Sequence, residues 1–183
     1  MSVDVSEAQT RRALATESAD VRAGARWSVL QDARLLFIAV WLGAAVFFSF
    51  AVAPSAFAVL PARELAGNLV TRTLGIVNVA GLVISLLLLV SAFVGRNGLR
   101  RRAWLVELTA LAVVALTTFI GHWVINARLL ALRRAMGRPI DEVAASDPLR
   151  VAFNSLHGYS VVALTVGMIA GVVALLVIAR RRA

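Results

Sequence analysis

Four long apolar stretches, separated by clusters of arginine, organise this chain. Arg34 and Arg63 bracket an uncharged run from Leu35 to Ala62, and Arg72 and Arg96 bracket a second from Thr73 to Gly95. A third, Ala103 to Ala127, carries one acid, Glu107. The fourth, Val151 to Ala179, has no residue charged at neutral pH apart from a possible His157. Each exceeds the ~20 residues needed to cross a hydrocarbon layer of ~30 Å. Backbone polar groups in lipid must be satisfied within the segment, so each run predicts a helix. None shows the strict alternation of a membrane β-strand. The expected fold is an all-α antiparallel four-helix transmembrane bundle, with spans at about 35–60, 73–95, 103–127 and 157–179.

The pattern continues beyond the third span. Leu129, Leu132 and Met136 recur on one helical face, with Arg133 and Arg134 on another, until Gly137 and Pro139 signal a stop. A helix from Trp104 to Met136 would be about 50 Å long and would overshoot the bilayer. Asp147-Pro148 reads as an N-cap followed by proline in the first turn. Spans 3 and 4 are therefore expected to project as a helical hairpin around a loop at Gly137–Asp147. Residues 1–33 lack a sustained apolar stripe and the order of a secretory signal. They read as a polar, mostly disordered tail, with Trp27 at head-group level, ahead of a transmembrane domain at 34–183.

Composition agrees with the pattern. Sixty per cent of the 183 residues are hydrophobic and mean hydropathy is +0.84, more apolar surface than a soluble chain of this size can bury. There is no Cys, which excludes disulfides and thiolate metal sites. The net charge of +9 comes from 19 basic residues, all Arg, in short segments flanking the spans. That placement suits anionic lipid head groups, not nucleic acid. The N-tail, the Gly95–Arg102 loop and the C-tail hold 12 Arg, and the opposite side holds 7. The excess predicts both termini in the cytoplasm, in a bacterial plasma (inner) membrane.

Candidate chemistry gathers at the other, outer end. His122 lies about 28 Å up the third span by helix rise, with Asn126 a turn above. His157 enters the fourth span from the same side. Asn78 lies below Arg72 on the second, and Pro54 is expected to kink or end the first at a similar level. These residues suggest an outer polar vestibule that binds or passes a small ligand or cation. Imidazole ligates copper, zinc and iron, but two imidazoles do not define a site. No cofactor is expected, with haem or a metal ion on His122 and His157 as the lesser reading. The bland alternatives are a carbonyl hydrogen bond for His157 and an interfacial His-Trp anchor for His122. Glu107 is expected to pair with Arg100–Arg102 or to snorkel. Ala163, Gly167 and Gly171, at four-residue spacing, suit close helix packing within the bundle or a homo-oligomer seam. No nucleophile motif or phosphate loop is present, so no enzyme is expected. The alternative function is a non-catalytic structural or assembly partner of another membrane protein.

Trp41-Leu-Gly43, Phe47-Phe48, Ala53-Pro54, Phe57, Leu60-Pro61 and Ala66-Gly67, with Phe153-x-x-Leu156-His157-Gly158-x-Ser160 in the last span, resemble the transmembrane protein 205-like family. That family, also described as a domain of unknown function, consists of small four-span membrane proteins. The resemblance covers about Arg34 to Ala179. The chain departs from it at Thr71-Arg72-Thr73 and Asn126-Ala127-Arg128, where relatives carry proline. A more distant similarity to copper-resistance D-like membrane domains is what raises the haem or metal reading.

Overall fold

A computed structural model of the chain describes residues 28–94 and 101–180. The expectations for residues 1–27, Trp27 included, and for Arg100 lie outside the described residues. Four helices are present, and no strand among the described residues: α1 Ser28–Val59, α2 Arg63–Val94, α3 Arg101–Met136 and α4 Pro148–Ala179. All four are long and apolar enough to span a membrane. The surface is inside-out for a soluble protein. Leu36, Phe50, Ile76, Val90, Leu116, Val162 and Ile169 stand exposed, as an acyl-chain solvent requires and water does not tolerate over such an area. The chain is an integral membrane protein with an all-α four-helix fold.

Two helix starts differ from the charge-based boundaries. Residues 28–33, assigned to the tail, are already helical, and α2 begins at Arg63 instead of Thr73. Charge marks where a helix leaves the apolar layer, not where its hydrogen bonds stop. Leu60 is extended (φ −77°, ψ 136°), as the residue before a proline is pushed to be. Leu60-Pro61-Ala62 alone then turns the chain, and Glu64 sits in the first turn of α2, where a carboxylate favours the helix N-terminus. Pro54 does not end α1. A π-helical segment, Phe48–Val52, precedes it, with the Ala53 N–H donating to the Phe48 carbonyl. The wider turn absorbs the donor that proline lacks.

The helical hairpin of α3 and α4 is present as expected. α3 runs to Met136, and Gly137 closes it with a left-handed φ of +63°, a conformation that costs a residue with a Cβ. Asp147 caps α4 by accepting from the Leu149 N–H at 2.8 Å, with Pro148 in the first turn. Between them lies a short 3-10 turn, Ile140–Glu142. Ile125, Leu129 and Phe153 form a small core at this end, joined by Leu132, Met136, Ile140 and Leu156.

The main core is organised by Trp41. Its indole Nε1–H donates to the Val77 carbonyl of α2 at 3.0 Å. A Cβ on Gly81 would lie 2.4 Å from that nitrogen, and one on Gly171 would lie 2.8 Å from Trp41 Cζ3. Trp41 of α1 thus sits between glycines of α2 and α4. Gly167 and Gly171 are buried, and Gly167 faces Thr117 of α3. Gly167 and Gly171 thus pack against Trp41 and Thr117 inside the chain. Helices in lipid gain little from hiding apolar surface, so close backbone approach and hydrogen bonds hold the bundle. At the opposite end, Trp104 Nε1–H donates to the Ala92 carbonyl at 3.2 Å and its ring meets Phe93 edge-on.

Candidate functional site

The end of the bundle carrying the α1–α2 and α3–α4 connections, here the hairpin end, holds two recesses. The first is a cavity of about 310 Å³. Phe57, Val70, Leu74, Leu129 and Phe153 supply apolar lining, and Arg63, Glu64, Arg133, Arg138, Asn126, Asn154, His157 and Ser160 supply polar lining. The second is a laterally open groove between α2 and α3, of about 840 Å³, lined by Arg72, His122, Asn126, Arg133 and a run of small and branched residues on α2. Thr71, Asn126 and Arg133 line both.

The expected single vestibule is therefore divided. His157 and Asn126 line the cavity, while His122, Asn126 and Arg72 line the groove. Asn78 lines neither. It shares a face with Thr71 but lies seven residues on, about 10 Å deeper by helix rise. There it is buried, with its amide 3.0 Å from where a Cβ on Gly121 would stand. The two imidazoles do not meet in one recess. His122 is directed at α2, with Nδ1 and Cε1 each 3.5 Å from the Cβ position of Gly75. Its Nδ1 is buried without a hydrogen-bond partner. His157 is exposed and stacks parallel to Phe153, centroids 6.5 Å apart. Among the described residues, no group of three or more His, Asp or Glu could hold a metal ion.

Local backbone explains the division. Residues Ile120–Asn126 of α3 form a π-helical segment. His122 and Asn126 lie four residues apart within it and both line the groove. The ring of Trp123 meets His122 edge-on at 4.5 Å and stacks on Phe119 at 5.2 Å. Arg133 forms the partition above them. Its Nη1 donates to Asn68 Oδ1 at 2.9 Å, and its guanidinium lies 5.2 Å from the Phe153 ring centroid. A Cβ on Gly67 would stand 2.7 Å from Arg133 Nη2, so the missing side chain makes room for the guanidinium. At the rim, Arg63 and Asp141 approach to 3.7 Å, both largely exposed, a pair of small energetic weight. Arg150 Nη1 donates to the Val143 carbonyl and ties the hairpin loop to α4.

With the Trp41 core, the π-helical α3 and the loop end at Arg138 in place, the relationship to known sequences can be stated. A profile for a domain of unknown function (DUF4149) matches residues 36–138, more than half of the chain. The chain belongs to the DUF4149 family. The match contains Trp41, Ala53-Pro54 and the π-helical segment of α3. It ends at Arg138, so the DUF4149 profile does not reach the Phe153–Ser160 block of α4. No curated protein and no solved structure matches the chain.

One polar feature was not expected from sequence. Arg34 of α1 and Glu107 of α3 form a buried ion pair, Arg34 Nη2 donating to Glu107 Oε1, with side chains 2% and 0% exposed. Gln31 Oε1 accepts from Arg34 Nη1 at 3.4 Å. The pair lies at the far end of the bundle from both recesses. Arg34 had served only as a bracket for the first span, and the acid had been assigned to arginines near it in sequence. The available signal was that Glu107 lies about one turn inside the apolar run, where a charge needs a partner.

Proposed function

We propose that this protein is a non-catalytic, membrane-embedded binding protein. It takes a small amphipathic ligand with an anionic group into the cavity at the hairpin end. The observation that carries this reading is the charge of the lining. Three guanidinium groups (Arg63, Arg133 and Arg138) and one carboxylate (Glu64) line the cavity above apolar walls; with Asp141, which approaches Arg63 at the rim, the net is 3 − 2 = +1. Ligand sites have this composition, mostly apolar with a few placed polar groups, and volumes of roughly 300–1,000 Å³. The positive balance favours an anion over the cation that a polar vestibule alone would also suit. His157 and Ser160 supply further hydrogen-bonding groups.

The Arg distribution, 12 against 7, supports a bacterial plasma membrane setting with cytoplasmic termini and the cavity facing outward. The Phe153–Ser160 block supports a transmembrane protein 205-like kinship within the broader family. The test uses full-length protein in mild detergent with three probes of equal chain length: hexanoate, hexyl phosphate and hexyltrimethylammonium. The two anions are expected to raise the unfolding temperature in a concentration-dependent way, approaching about 2.7 kcal/mol of stabilisation at 100 times Kd. Arg138→Gln should weaken the effect. Equal stabilisation by the ammonium, or none by any probe, refutes the reading and leaves the alternative, a ligand-free assembly partner.

A further inference from the structure

The groove between α2 and α3 has a different character from the cavity. Arg72 and Arg133 stand at its polar end, and no acid lines it. Arg72 is exposed and forms no ion pair among the described residues. Below them the lining becomes apolar from Ile76 to Ile84, a trough about 12 Å long by helix rise. The trough opens sideways. Ile76 is 65% and Val83 50% exposed, on the surface that acyl chains solvate. The groove is thus cationic at the level of the head groups and apolar below it, along a line parallel to α2.

We propose that this groove holds one anionic phospholipid, its phosphate at the Arg72–Arg133 end and one acyl chain along the α2 trough. Charge complementarity selects the occupant. Two guanidinium groups, with no acid in the groove's own lining and Glu64 acting on Arg133 from the cavity side, match a phosphodiester and offer a zwitterionic lipid's ammonium no counter-charge within the groove. Guanidinium also suits phosphate geometrically, through paired N–H donors. Arg133 reaches Asn68 and Phe153 from the same position, so it is held in place before the lipid arrives. The groove shares Arg133 with the neighbouring cavity, so the test turns on Arg72 and Ala80, which line the groove and not the cavity.

Native mass spectrometry of the full-length protein tests this, after equilibration with equimolar phosphatidylglycerol and phosphatidylcholine of identical chains. One phosphatidylglycerol per protein should be retained in preference to phosphatidylcholine. Arg72→Gln should cut that preference roughly fivefold, the weight of one basic residue at an anionic surface. Arg72→Lys should restore much of it. Ala80→Trp, which fills the trough from an exposed position, should lower retention of both lipids. Equal retention of the two lipids by the unaltered protein overturns the proposal, as does retention indifferent to Ala80→Trp. Binding of glycerol phosphate as tight as that of the whole lipid also overturns it, because the trough would then contribute nothing. So does a lipid-free homodimer that Ala80→Trp dissociates, since a second copy would then be the occupant.

Discussion

Removing one member of the Arg34–Glu107 pair should cost far more than removing both. With exposures of 2% and 0%, neither charge can turn to water when its partner is lost. Glu107→Gln keeps the side-chain shape and leaves Arg34 buried with an uncompensated charge. Breaking a buried ion pair from one side costs about 3–5 kcal/mol. The double variant Arg34→Met/Glu107→Leu removes both desolvation penalties and fills similar volume. Such replacements are neutral or stabilising by about 1–4 kcal/mol, so the double variant should unfold at or above the stability of the unaltered protein. The assay is unfolding in mixed micelles with rising dodecyl sulfate, followed by helical circular dichroism. The contrast should survive 1 M salt, since mobile ions screen buried pairs weakly. A Glu107→Gln variant within about 0.5 kcal/mol of the unaltered protein, or a double variant costing as much as that single one, would refute the reasoning.

Gly81→Ala should destabilise by about 1–3 kcal/mol through overpacking, because its Cβ would stand 2.4 Å from Trp41 Nε1 and 2.8 Å from Thr118 Cγ2; the same unfolding assay reads it. Exposed Gly43, where a Cβ meets nothing within 4 Å, is the control, and Gly43→Ala should cost nothing measurable. Asp147→Ala removes the acceptor for the Leu149 N–H and should cost about 1 kcal/mol, with faster amide hydrogen exchange confined to the first turn of α4.

The helices were legible because lipid leaves the backbone few options. The projecting hairpin was legible too, since Gly137 and the Asp147-Pro148 cap are local signals whose geometry depends on their own neighbours. The helices extend beyond the charge-bracketed spans, back to Ser28 and to Arg63, because charge marks the edge of the apolar layer and not the end of the hydrogen-bond ladder. The candidate site was legible in depth but not in azimuth. Helix rise placed His122 and His157 at one end of the bundle, yet rotation about each helix axis decides which recess a side chain enters. The π-helical segment Ile120–Asn126 resets that rotation within α3. The Arg34–Glu107 pair escaped for a related reason. Its partners are 73 residues apart, and only the arrangement of α1 against α3 brings them together.

The seat of Trp41 also imposes an order in time. Its walls come from Gly81 on α2 and from Gly171 on α4, and Gly171 is made 171 − 41 = 130 residues after the tryptophan itself. At about 5–20 residues per second, synthesis takes roughly 6–26 s to supply that last wall. The first helix therefore waits in the membrane for the fourth, and a chain truncated before α4 presents a tryptophan with half a socket.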